Sequence, residues 1–253
     1  ETGAEIANDL ERICENFGGE NIAACIVEPV AGSTGCLVPP KGYLEKLREI
    51  CDKQGILLIF DEVICGWGRM GSVFASQEFG VVPDMMTMAK AATNGVVPMG
   101  VVACKDEMYD AVMDASPMGA VELFHGYTYS GIPVSVAAAL AVQDIFEKED
   151  IINRVKGMVS YFQESIFSLK DLESVANIRG QGLMAGIDMK LNTKPGKAGF
   201  ETFKSCYEAG VNFKATRDCL IIAPQFICEK KHIDEIVDKV RTGIINYQKN
   251  QKN

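Results

Sequence analysis

Histidine is nearly absent from this chain: among 253 residues only His125 and His232 occur, far apart. Neither has a second histidine at metal spacing, so a histidine-based metal site has little support and no metal is expected. The nine cysteines, at 14, 25, 36, 51, 65, 104, 206, 219 and 228, are odd in number and contain no C-x-x-C pair. Neither a disulfide framework nor a zinc ribbon is suggested; they read as reduced, mostly buried thiols of a cytoplasmic protein. Long apolar runs are missing too. The most apolar stretches, 56–60 and 96–104, fall far short of the roughly 20 residues that cross a bilayer. Basic residues are scarce, 25 Lys and Arg against 34 Asp and Glu for a net charge of −9. A polyanion partner needs a surplus of cations to displace counterions, so nucleic acid and anionic membrane surfaces are not expected. The chain also opens Glu1-Thr2-Gly3 without Met, signal peptide or transit segment, which raises the expectation that it is a piece of something longer.

What is present is globular. Hydrophobic residues make up 47% and charged residues 23%, near the average for folded domains, and the length suits one large domain or two. Residues 22–27 and 56–60 are apolar runs of strand length. Between them Tyr43, Leu44, Leu47, Ile50 and Cys51 recur at helical spacing. Strand, helix, strand is the βαβ unit, and a run apolar on both faces reads as the interior of a parallel sheet, giving an α/β class. Runs at 85–89 and 99–104 add strands, and Pro133 starts an Ala-rich helix with Ser130 or Gly131 near its cap. After residue 150 the character changes. Helical patterns at 151–169, 200–208 and 232–247 alternate with strands at 182–188, 211–213 and 220–223. The division expected is a large domain over 1–150 and a smaller α+β domain over 151–253.

Ligands of open parallel sheets bind beyond the carboxyl ends of strands, so the residues leaving those ends are the candidates. Asp61 and Glu62 leave the 56–60 strand; taken alone, they are acids meeting solvent. Lys90 follows the apolar Met85-Met-Thr-Met-Ala89 and is read as a buried amine. Desolvation favours the neutral, nucleophilic form, although a single lysine is ordinarily a snorkelling surface residue. A buried Lys and Asp at neighbouring strand ends are the pair that a pyridoxal phosphate site needs. Gly66-Trp67-Gly68-Arg69-Met70-Gly71 satisfies the dinucleotide fingerprint in form. It fails in context: its first glycine does not turn off the strand, and an acid at the strand end repels a pyrophosphate. Those glycines fit a loop passing close to other backbone. Thr128 precedes a helix start, where a hydroxyl among free amides suits a phosphate oxygen. Gly32-Ser-Thr-Gly35 reads as a turn.

Together Val27-Glu28-Pro29-Val30, Phe60-Asp-Glu-Val-Ile-Cys-Gly-Trp-Gly-Arg69, Pro83-Asp-Met-Met-Thr-Met-Ala-Lys90 and Phe124-His-Gly-Tyr-Thr-Tyr-Ser-Gly131 resemble class III pyridoxal phosphate aminotransferases, nearest the ω-amino acid:pyruvate group. The resemblance implies a fold type I enzyme that works as a homodimer with active sites at the subunit interface. It implies pyridoxal 5'-phosphate as cofactor, Lys90 as the Schiff-base lysine, and Asp61 as the partner of the pyridine nitrogen. Val63 packs on the ring, Tyr127 and Thr128 reach the phosphate, and Glu28 is an acid near the cofactor or simply a strand-end structural acid. The reaction implied moves an amino group from an ω-amino acid or amine to pyruvate or another 2-oxo acid with ping-pong kinetics. Lys90 serves as a general base whose pKa its apolar surroundings lower.

Departures accompany the matches. Where relatives carry a carboxylate-gripping arginine stands Lys214, which lacks the two-point fork; Arg217 is the substitute candidate. The Ser-Pro-Pro run appears as Ala223-Pro-Gln, and the Ser-Gly-His-Pro appears with Ile132. The family's first segment, roughly two fifths of a subunit, is not matched, so weak or no activity is expected of this chain alone. Two alternatives stay open: a cofactor-less or truncated relative acting by dimerisation, and a nicotinamide enzyme.

Overall fold

The computed structural model describes residues 3–118, 126–191 and 194–251; Phe124 and His125 of the fourth motif lie outside these. In chain order the first elements are α1 (Gly3–Phe17), β1 (Ala24–Val27), α2 (Tyr43–Gln54), β2 (Leu57–Asp61), α3 (Ala75–Phe79), β3 (Met85–Met88) and β4 (Val101–Cys104). They continue with α4 (Asp106–Asp114), α5 (Pro133–Lys148), α6 (Ile151–Phe167), β5 (Val175–Gln181) and β6 (Met184–Met189). The last are α7 (Lys197–Glu208), β7 (Lys214–Thr216), β8 (Cys219–Ile222) and α8 (Lys230–Gln251). No helix among the described residues is long and apolar enough to cross a membrane.

The chain forms two compact units. One comprises Glu1–Pro29, Pro40–Gly66 and Phe79–Glu149; the other comprises Val30–Pro39, Trp67–Glu78 and Asp150–Asn253. The chain thus passes to the second unit at residue 150, where composition changes, but two earlier segments also belong to that unit.

In the first unit the sheet order is β1-β2-β3-β4, with β1, β2 and β3 parallel and β4 antiparallel to β3. α2 forms because Leu44, Leu47, Ile50 and Cys51 line one face, all buried. It ends at Gly55, whose positive φ of 69° lets its amide return to the Cys51 carbonyl. That face packs with Ala7 and Cys14 of α1 and with Leu58 and Phe60 of β2. Removing side chains such as Phe60 and Leu58 from water contributes about 1.5–3 kcal/mol each. The strand alternation leaves Ile26, Leu57 and Val102 exposed on the other face of the sheet.

The second unit is an antiparallel sheet of order β5-β6-β8-β7, with α6 and α8 packed together, α7 against α8, and α6 against β5. Phe162, Ile166, Leu183, Ile187, Ile244 and Tyr247 fill its core. The sequence expectation of a strand at 211–213 shifts to Lys214–Thr216, where Ala215 pairs with Leu220. β5 escapes the apolar pattern because Asn177, Arg179 and Gln181 alternate through it. The helix expected at Pro133 begins there, capped by Ile132 rather than Ser130 or Gly131. A partly parallel sheet followed by an α+β unit is the α/β architecture the sequence implied.

Candidate active site

Because β1, β2 and β3 run parallel, their carboxyl ends fall on one edge of the sheet. The register sets Val27 beside Phe60 and Asp61 beside Thr87, and the Glu62 amide donates to the Thr87 carbonyl at 2.9 Å. Glu28, Asp61 and Lys90 therefore leave the sheet at the same edge. Strand alternation puts Asp61 on the face with Leu57 and Ile59, away from the buried Leu58 and Phe60.

Asp61 is half-buried, and its Oδ1 accepts the Val63 amide at 3.0 Å. That turn places the half-buried Val63 two residues beyond the acid. Oδ2 of Asp61 has no hydrogen-bond partner among the described residues. Glu62, next in sequence, is fully buried instead, and its carbonyl accepts the Gly66 amide at 2.8 Å. The two adjacent acids are thus separated by strand parity into one at the open face and one in the interior.

Lys90 begins a single 3₁₀ turn, Lys90–Ala92, with a positive φ of 44°. A non-glycine residue in that region is uncommon and marks a local constraint. The constraint is visible: the Lys90 carbonyl accepts the Gly95 amide at 3.2 Å, and Thr93 Oγ1 donates to the Val97 carbonyl at 2.6 Å. Ser135 Oγ of α5 then donates to the Pro98 carbonyl at 3.1 Å, fixing the loop to the helix. Sequence reasoning missed Thr93 and Ser135 as supports of this turn; the Thr-Asn-Gly run after Lys90 is a turn signal that could have shown the first.

The expected burial of Lys90 is not seen: its side chain is exposed. The left-handed backbone swings the residue off the end of β3, so the apolar residues of that strand do not surround the amine.

Tyr127 and Thr128 form an exposed 3₁₀ turn, Tyr127–Tyr129, in which the Thr128 amide donates to the Gly126 carbonyl at 2.8 Å. No hydrogen bond joins Thr128 to the sheet edge among the described residues. The structure therefore brings Glu28, Asp61, Val63 and Lys90 to one edge and leaves Thr128 on a separate turn.

Lys214 and Arg217 belong to the second unit. Both are exposed; Lys214 opens β7 opposite Ile221, while Arg217 occupies the β7–β8 turn with a φ of 50°. The glycine-rich loop is also held in this unit. Arg69 Nη1 donates to the Leu183 carbonyl at 2.8 Å and the Pro224 carbonyl at 2.7 Å, and its guanidinium lies 4.5 Å from the Phe226 ring centroid. A Cβ on Gly182 would run into the Arg69 carbonyl, so the loop does pass close to other backbone.

Known proteins with this sequence and fold agree on the family. Residues 1–244 match the class-III aminotransferase family. The omega-aminotransferase of Caulobacter vibrioides is 49% identical over 244 residues, covering 95% of this chain and 55% of that protein. The beta-alanine–pyruvate aminotransferase of Pseudomonas aeruginosa is 42% identical over 240 residues, covering 94% of this chain and 54% of that protein. Among solved structures, a transaminase with L-alanine superposes with a TM-score of 0.94 at 32% identity, over 98% of this chain and 60% of its own. An omega transaminase from Pseudomonas jessenii in complex with PMP gives 0.93 at 31% identity, over 98% and 56%. The chain belongs to the class-III aminotransferases, a pyridoxal phosphate-dependent family of fold type I. It spans about half the length of the relatives it matches.

Proposed function

We propose that the protein containing this chain transfers an amino group from an ω-amino acid or amine to pyruvate or a similar 2-oxo acid by ping-pong kinetics, in the cytoplasm and as a homodimer. The observation that carries the reading is that a carboxylate at the end of β2 and a primary amine just past the end of the adjacent parallel β3 leave the sheet at one edge. These residues fit pyridoxal phosphate. Lys90 offers a free amine for its aldehyde, and Asp61 keeps one oxygen unpartnered for a protonated ring nitrogen. When bound, the cofactor supplies an exchangeable aldehyde and an electron-poor ring that holds the electron pair left when a substrate carbon is deprotonated. Asp61 stabilises positive charge at the ring nitrogen, and Val63 packs against the ring. Lys90 Nζ anchors the cofactor between turnovers and moves the substrate proton. Tyr127 and Thr128 serve the phosphate, Glu28 lies near the cofactor, and Lys214 with Arg217 holds the substrate carboxylate. The site is read as one shared between subunits of a dimer, with weak or no turnover expected of this chain alone. Residues 1–150, apart from the two segments 30–39 and 67–78 that pack in the second unit, are read as part of the cofactor-binding domain and 151–253 as the small domain.

The test is to add pyridoxal phosphate, reduce with borohydride and map the adduct by mass spectrometry. A pyridoxyl group on Lys90, lost in Lys90→Ala, is expected. No adduct in a longer parent protein favours a dimerising module instead. For Arg217→Ala, a rise in the parent enzyme's KM for pyruvate is expected, and an unchanged value removes Arg217 from the carboxylate site.

A further inference from the structure

Lys90 stands at the start of a loop that folds back on its own backbone. Its carbonyl accepts two amides from further along the chain, that of Thr93 at 3.4 Å and that of Gly95 at 3.2 Å, and the Val96 amide donates to the Thr93 carbonyl at 3.1 Å. Asn94 and Gly95 are consecutive left-handed residues, with φ of 52° and 76°, and they turn the chain back toward Lys90. Thr93 closes this loop with its side chain. It is buried, and its Oγ1 donates to the Val97 carbonyl, four residues on, at 2.6 Å. A buried hydroxyl is retained only where it is paired, and a valine would fill the same space without one.

We propose that Thr93 is a positioning residue for Lys90: by holding the 93–97 turn closed, its hydroxyl keeps Lys90 in the left-handed conformation from which the amine is offered to the aldehyde of pyridoxal phosphate. This deepens the reading of Lys90 as the cofactor lysine and rests on it.

The backbone of Lys90 gives the physical reason. A lysine at a φ of 44° is held in a region that non-glycine residues leave unless the surrounding structure over-determines it. Here the over-determination comes from the two amides on the Lys90 carbonyl, and both belong to the turn that Thr93 closes. Without the Thr93 hydroxyl, the Val97 carbonyl loses its partner and the turn is free to open. Lys90 can then relax to an ordinary φ. That rotation carries its Cβ, and the amine beyond it, to a different side of the chain. Ser135 acts further out, where its hydroxyl ties the Pro98 carbonyl to α5. It anchors the loop, whereas Thr93 sets the loop's internal shape.

The experiment uses the longer parent protein, freed of cofactor and titrated with pyridoxal phosphate. Thr93→Val removes the hydroxyl and keeps the shape, whereas Thr93→Ser keeps the hydroxyl. The dissociation constant should rise about tenfold in Thr93→Val, the size of one buried hydrogen bond, and stay near the unaltered value in Thr93→Ser. At limiting cofactor the borohydride-trapped pyridoxyl group on Lys90 should fall in the first variant and not in the second. In the unaltered protein the Gly95 amide should exchange its hydrogen at least about tenfold more slowly than an open peptide, which does not depend on any variant folding. Unchanged affinity in Thr93→Val, an equal loss in both variants, or open-peptide exchange at Gly95 overturns the proposal while leaving Lys90 its role. An unaltered protein that forms no adduct on Lys90 removes that role, and the proposal with it.

Discussion

Asp84 accepts hydrogen bonds from Arg48 at 2.7 Å, from Lys105 at 2.8 Å and from the Leu58 amide at 2.8 Å, and so binds α2, β2 and β4's end together. Burial alone raises its pKa, but the Lys105, Leu58 and Arg48 hydrogen bonds hold the carboxyl down to about 2. The folded value lies below the unfolded one, so this stabilisation is complete above about pH 4 and disappears as pH falls through about 2. Its size is on the order of 2 kcal/mol. Asp84→Asn should lower the urea midpoint at pH 7 and flatten the loss of stability between pH 5 and pH 2, measured by circular dichroism. A parallel acid loss in both proteins would remove Asp84 as the cause. The network was not legible in the sequence, because Arg48 and Asp84 stand 36 residues apart and only the folded sheet joins them. Lys90 and Asp61 were legible, because each follows an apolar run whose end defines a sheet edge. The exposure of Lys90 was not, because it depends on one backbone torsion.

Among elements, the α7–α8 contact is set by a missing side chain. A Cβ on Gly243 would stand 2.6 Å from the Cys206 Cα and 2.7 Å from its amide nitrogen. Gly243→Ala should force the two helices apart and cost about 1–3 kcal/mol in urea unfolding. Gly157 in α6 meets nothing within 4 Å. Gly157→Ala should therefore stabilise by about 0.5–1 kcal/mol, the ordinary helix preference. Equal effects from the two substitutions would refute the close approach at Gly243. Elements also show where pattern reading fails. α2 and α8 carry their apolar faces in full view, whereas β5 takes its strand form from pairing with β6 through Ile178 and Ile187, against a polar composition.

At the scale of the whole molecule, the first unit covers one face of its sheet with α1 and α2 and leaves Ile26 and Val102 each 62% exposed on the other. Contiguous apolar exposure of this kind drives association in water. The isolated chain should show concentration-dependent mass in sedimentation. The double change Ile26→Lys and Val102→Lys should reduce that mass without lowering the thermal midpoint, since neither side chain is buried. A monomeric chain at high concentration would count against this account. Asp61 shares that face, so the open surface and the candidate site are on the same side of the sheet.

The sequence by itself determined the parallel βαβ core, the strand-end positions of Asp61 and Lys90, the free thiols and the family resemblance. Each follows from local patterns of apolar spacing, turn residues and short motifs. The tertiary structure decided the rest. It set Asp61 outward and Glu62 inward by strand parity, swung Lys90 into the open, and used Arg69 of the glycine-rich loop to hold the Leu183 and Pro224 carbonyls. Those outcomes depend on which residues meet across long separations, and that is fixed only when the chain is packed.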